Sequence, residues 1–241
     1  ADGANKGQEI EGSSVGLTTT NKPYFLQSNH NTSTRLKIDA QMISAGKAIA
    51  GANMNNTDPI GANVMSFTTA NTAQFLYGSK PSFGWYLQDN YLYAGMNSSE
   101  STPYRYSLQN QAADGTQTWL AENLTTGSAA LMSTVSYAQP TPKIDEALAI
   151  HTWANTNGTP LSYQLKADKT ATSSSYKMTW EITSDGALSI TNRKLSTNAL
   201  VSTSLFQPIK RINQQWWFMQ QTSNASGTVT ALKLVSLIDQ G

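Results

Sequence analysis

The chain has 241 residues, 39% hydrophobic and only 13% charged, with a formal net charge of +1, no cysteine and two histidines. Zero cysteine excludes a disulfide framework, thiol catalysis and a Cys-ligated metal centre, and His30 and His151 are too few for a multi-histidine metal site. With no basic block there is no electrostatic grip on nucleic acid, and no apolar run approaches the ~20 residues of a membrane-spanning helix.

Ser, Thr, Asn and Gln make up about 38% of the chain and stand where charges usually would. That polar, uncharged composition, and an opening at Ala1 without a methionine or apolar leader, leads to the expectation of a secreted or cell-surface protein. Residues 1–22, rich in Gly, Ser, Thr and Lys, read as an irregular arm, so the expected division is an N-terminal arm and first strand over 1–41 and a β domain over 42–241.

Helical periodicity is nearly absent beyond the arm. Short runs of β-branched and aromatic residues alternate with turn clusters. Strands are predicted over Arg35–Met42, Asn63–Thr68, Tyr104–Leu108, Ala130–Tyr137, Leu148–Trp153, Ser162–Leu165, Lys177–Ile182, Gly186–Thr191 and Thr228–Ile238. Asn56-Thr-Asp-Pro59, Asn97-Ser-Ser-Glu100, Asp114-Gly115, Asn157-Gly158 and Asp185-Gly186 punctuate them as turns. One stretch, Thr141 to Leu148, has early Pro and acidic residues and predicts a single helical turn. The expected class is all-β: a sandwich, barrel or trefoil.

Internal repetition narrows the choice. Trp85-Tyr-Leu-Gln-Asp-Asn, running to Gln117-Thr-Trp119, aligns with Trp180-Glu-Ile-Thr-Ser-Asp, running to Gln214-Gln-Trp216; the tryptophans lie 34 and 36 residues apart. A third unit runs from Ala147-Leu-Ala-Ile-His-Thr-Trp153 to Met178-Thr-Trp180, and a fourth from Gly46-Lys-Ala-Ile-Ala-Gly51 to Phe83-Gly-Trp85. A tryptophan recurring once per supersecondary unit buries on the order of 200 Å² each time. Trp119, Trp180 and Trp216 are therefore expected in the core, with Trp217 on the opposite face of its strand.

The Gln-x-Trp tripeptides, the Asp-Gly-x-Leu after Trp180 and the Asn157-Gly-Thr-Pro160 turn resemble ricin-type β-trefoil lectin repeats over roughly residues 42–240. The resemblance implies a β-trefoil with an N-terminal extension and carbohydrate binding. The aspartate that such sugar sites place after the opening strand of each repeat has no counterpart here: the matching positions hold Ala50-Gly51, Ala94-Gly95, His151-Thr152 and Ser196-Thr197. The alternative architecture is a β-sandwich of the fimbrial-adhesin type, assembling through its N-terminal arm.

Glycan recognition needs an aromatic ring against the apolar face of a sugar and fixed neutral groups for its hydroxyls. His151, Trp153, Asn155 and Asn157 form the richest such local cluster, and Tyr91 and Tyr93 share one strand face. These six are the expected ligand-binding residues. Gly12-Ser-Ser-Val-Gly16 matches a serine-hydrolase pattern but lacks the apolar strand that builds a nucleophile elbow, and Ser44-Ala-Gly-Lys47 lacks its partner motifs. No phosphate-binding glycine loop or calcium loop occurs. The reading is a non-catalytic, lectin-like protein without cofactor or metal. Its expected partner is a glycan or glycosylated host surface, together with other subunits of a secreted toxin or adhesin complex.

Overall fold

A computed structural model describes residues 15–17, 23–25, 36–52, 61–77, 82–95, 104–156, 158, 161, 163–171 and 173–241. In the arm, β1 (Val15–Leu17) and β2 (Pro23–Phe25) pair with each other as an antiparallel ribbon. The remaining strands form two antiparallel sheets with almost no helix, so the protein is all-β.

The first sheet contains β3 (Lys47–Ala52), β4 (Ala62–Thr69), β5 (Thr72–Phe75), β6 (Phe83–Gln88), β7 (Tyr91–Ala94), β8 (Tyr104–Gln111), β9 (Thr116–Asn123) and β10 (Ala129–Ala138). Each strand pairs with the next, and β10 returns to β3 through Thr134–Gly51 to Ala138–Lys47, closing an eight-stranded up-and-down barrel. Alternation decides what fills it. Ile49, Met65, Phe67, Phe83, Trp85, Leu92, Tyr104, Tyr106, Leu108, Trp119 and Met132 point inward and form one core. Residues 36–43 seal one end: Ile38 and Ile43 are buried, and Asn90, in the β6–β7 turn, accepts from the Ile38 N–H at 2.7 Å and donates to the Leu36 carbonyl at 2.9 Å. Of the segment predicted as the strand Arg35–Met42, the described part, from Leu36 on, is an irregular plug that ends in a 3-10 turn at Ala40–Met42 capped by Asp39.

The chain leaves the barrel through Pro140 and Pro142 and makes one helical turn, α1 (Glu146–Ala149), near the turn predicted over Thr141 to Leu148, with Asp145 as its cap. That turn occupies the start of the strand predicted over Leu148–Trp153. The second sheet follows: β11 (Trp153–Asn155), β12 (Thr170–Ala171), β13 (Tyr176–Ile182), β14 (Leu188–Lys194), β15 (Leu200–Ile212), β16 (Gln215–Asn224) and β17 (Val229–Asp239). Its order, β11-β17-β16-β15-β14-β13-β12, repeats the barrel's β3-β10-β9-β8-β7-β6-β5. Among the described residues no eighth strand is seen; there the Leu161 N–H donates to the Trp153 carbonyl and Leu165 forms a bridge with Ala171.

The repeats of the sequence now have a structural meaning. Gly46–Gly51 opens the barrel and Ala147–Trp153 leads into the second sheet; Trp85 and Trp180 lie on β6 and β13, and Trp119 and Trp216 on β9 and β16. The four units are two in each sheet. In the barrel each strand pairs with the next in chain order, and in the second sheet β12 to β17 do so while β11 lies beside β17; no threefold trefoil arrangement is seen among the described residues, and the stretch 42–241 contains both sheets. Trp119, Trp180 and Trp216 are buried, as their recurrence predicts. The two sheets meet through their outer faces: Ala48, Ala50, Val64, Val135 and Tyr137 of the barrel pack on Ile209, Trp217, Met219 and Leu232. Trp217, on the face opposite Trp216, joins Tyr137 as a large aromatic of that joint.

Candidate binding surface

The residues expected to bind ligand fall into two groups. Around β11 they separate. Trp153 is only 8% exposed, and its ring sits edge-on against Trp216 and Phe218 at 6.1 and 5.9 Å inside the second core. A three-residue strand gives too little alternation to show which face turns inward, and here the aromatic face does. His151 is half-buried and its Nδ1 lies 2.9 Å from Asp239 Oδ1, tying the β11 approach to the last strand. Asn155 is exposed at the end of β11, where its carbonyl accepts the Gly158 N–H of the following turn. Asn157 lies outside the described residues. The crevice beside Trp153, lined by His151, Tyr163 and Leu188 among others, has a volume of 20 Å³, space for about one water.

Tyr91 and Tyr93, by contrast, are brought together with partners from three other strands. Trp85, Leu87, Leu92, Ala94, Tyr104 and Tyr106 take the inward positions of β6–β8, so Tyr86, Tyr91, Tyr93 and Arg105 face outward. Register then aligns them in one lateral row across β6, β7, β8 and β9: Tyr86 opposite Tyr93, Tyr93 opposite Arg105, Arg105 opposite Glu122. The turn that sets this register is Asp89-Asn90, both with positive φ (50° and 61°), the two-residue geometry that matches strand twist.

Within the row the Tyr86 and Tyr93 rings are stacked, with centroids 4.7 Å apart and planes 11° from parallel. Tyr91 leans on Tyr93 at 6.2 Å, and the Arg105 guanidinium lies 4.5 Å over the Tyr91 ring. Arg105 is clamped by Glu122 in bidentate fashion, Nε to Oε2 at 2.8 Å and Nη2 to Oε1 at 2.9 Å, with both side chains about nine-tenths buried. Burial pulls the Arg105 guanidinium down, but the hydrogen bond and charge of Glu122 and the contact with Tyr93 outweigh it and hold it above its ordinary value. The result is a charge-balanced aromatic surface with Tyr86 over a third exposed at its end and Gln88 and Gln109 at its rim.

Sequence reading identified Tyr91 and Tyr93 but not Tyr86 or Glu122. Alternation in Trp85-Tyr86-Leu87 and Tyr104-Arg105-Tyr106 puts Tyr86 and Arg105 on the outer face; only the register joins them to Glu122, 17 residues beyond Arg105. The equivalent row of the second sheet, counted from Trp180, reads Glu181, Ser189, Leu205 and Gln221. Among the described residues, that row of the second sheet holds no aromatic residue. Among the described residues no group of three or more His, Cys, Asp or Glu could hold a metal, and no helix is long and apolar enough to cross a membrane. No protein-family model matches the chain, and no curated protein matches its sequence.

Proposed function

We propose that the protein is a non-catalytic, exported carbohydrate-binding protein and that the outer tyrosine row of the first barrel is its ligand surface. The observation that carries this reading is the stacked Tyr86–Tyr93 pair, continued by Tyr91 and held in place by the bidentate Arg105–Glu122 pair. Rigid aromatic faces suit the apolar face of a pyranose, while phenol hydroxyls and the amides of Gln88 and Gln109 suit its hydroxyls. Because Arg105 is neutralised by Glu122, the surface favours neutral sugars over acidic ones.

The lectin reading therefore rests on this surface and not on the trefoil that the Gln-x-Trp resemblance implies. The glutamine of one tripeptide has a structural task instead: Gln117 Oε1 accepts from Trp119 Nε1 at 3.2 Å within the barrel. A glycan array probed with and without chelator tests the proposal. Saturable binding to a set of related neutral sugars, indifferent to chelator, is expected; a blank array contradicts it.

A further inference from the structure

The joint between the two sheets holds a pocket of about 340 Å³ beside the linker residue Pro140. Alternation directs its floor. Val64 turns to the joint because Met65, next to it on β4, points into the barrel. Met219 does the same on β16, opposite Phe218 of the second core, and Ile209 of β15 joins it. All three are buried. Gln207, two residues before Ile209 and paired with Met219, brings its amide to the same space.

Two phenols enter from the barrel side, Tyr137 at the end of β10 and Tyr77 just beyond β5. Asn63 fixes the backbone of Tyr77, donating to its carbonyl at 2.8 Å and accepting from its N–H at 3.2 Å. Tyr137 is 8% exposed, yet its hydroxyl has no hydrogen-bond partner among the described residues, and neither has that of Tyr77. Burial raises both phenols, and the two are close enough that the charge of Tyr77 would raise Tyr137 further. They therefore remain protonated and present two neighbouring donors at one end of an apolar pocket, where a donor without an acceptor is costly.

We propose that this pocket binds a small uncharged molecule with an apolar body and a carbonyl or ether oxygen, the oxygen accepting from Tyr77 and Tyr137. Val64, Ile209 and Met219 suit the hydrocarbon body, and the volume suits one or two rings. An ion is disfavoured. The charged groups of the lining, Lys143 and Asp185, are opposite in sign and exposed, so the buried floor offers no counter-charge. The site needs both sheets, since the phenols come from one and Ile209 and Met219 from the other. It is separate from the tyrosine row, which lies on β6–β9 and not on the strands at the joint, so either can fail without the other.

The test is magnetic resonance of the whole chain carrying carbon-13 in its methionine methyl groups, with the Met219 signal assigned through Met219→Leu. Cyclohexanone, a ring with a single carbonyl oxygen, is titrated in, and cyclohexanecarboxylate is titrated in parallel as its charged counterpart. A saturable shift of the Met219 signal, in roughly the millimolar range of a ligand this small, is expected with the ketone alone. The Tyr77→Phe/Tyr137→Phe double variant removes both donors while keeping both rings, and is expected to weaken binding about tenfold. Gln207→Trp, at a half-buried strand position, fills the pocket and is expected to abolish the shift; it tests the site even if the double variant does not fold. No saturable shift at Met219, equal binding of the carboxylate, or ketone binding unchanged in either folded variant overturns the proposal.

Discussion

Single side chains divide here into those that hold the cores and those that remain available. Trp153 belongs to the first kind: truncating it removes an aromatic packed on two others, and Trp153→Ala is expected to cost about 3–5 kcal/mol, read as a lowered urea midpoint. The Arg105–Glu122 pair is a different case. Replacing Glu122 with Gln leaves a buried guanidinium facing a neutral amide, an expected loss of about 2–3 kcal/mol that the same denaturation curves would show. A midpoint unchanged by Glu122→Gln would mean that water already screens the pair. The recurrence of tryptophan made Trp119, Trp180 and Trp216 legible as core from sequence. Trp153 was not, because a polar neighbourhood of His151, Asn155 and Asn157 says nothing about which way a three-residue strand faces.

Turns and bulges set the registers on which the tyrosine row and the joint depend. At Gly115, in the β8–β9 turn, φ is +85° and a Cβ would come within 2.6 Å of Ile212 Cδ1 from the second sheet. Gly115→Ala is therefore expected to destabilise the protein by roughly 1–3 kcal/mol, through backbone strain and through the joint that Ile212 packs against. A variant with the wild-type melting temperature would show that the joint is looser than this packing implies. The Asp114-Gly115 and Asp185-Gly186 turns were readable from dipeptides, as were most strands of strong β character. The lateral row was not. Tyr91 and Tyr93 could be placed on one face by alternation, but their meeting with Tyr86, Arg105 and Glu122 is a matter of pairing between strands, which alternation within a strand does not specify.

At the scale of the molecule, the second sheet repeats the strand order of the first with its second and third strands cut back, so one closes and the other does not. Closure depends on β10 meeting β3 across more than 80 residues, and no local signal announces such a contact. A trefoil was the expectation because repetition in sequence shows how many units exist but not how they pair. The joint and cores also fix the response to alkali. Burial pushes the phenol of Tyr163 up to about 12 and those of Tyr77 and Tyr137 upward as well. Folded tyrosines thus keep protons that the unfolded chain releases near pH 10, so their contribution is intact below about pH 10 and is lost as pH climbs toward 12. Lys210, with its lowered value, acts in the opposite sense, one group against three. The melting temperature is expected to fall steeply across that window, less so in Tyr163→Phe; a flat profile would place these phenols in water.

The division between a structural tryptophan and a binding tyrosine row is tested most directly by one paired comparison. Binding of the strongest array sugar and the melting temperature are measured together for wild type, Tyr86→Ala and Trp153→Ala. Tyr86→Ala, altering a ring more than a third exposed, is expected to lose at least tenfold in affinity, the worth of about 1.4 kcal/mol, while melting close to wild type. Trp153→Ala is expected to melt far lower yet bind with near wild-type affinity at temperatures where it remains folded. The reverse pattern, a Tyr86→Ala protein that binds normally and a well-folded Trp153→Ala protein that does not, would contradict the assignment and move the site to β11.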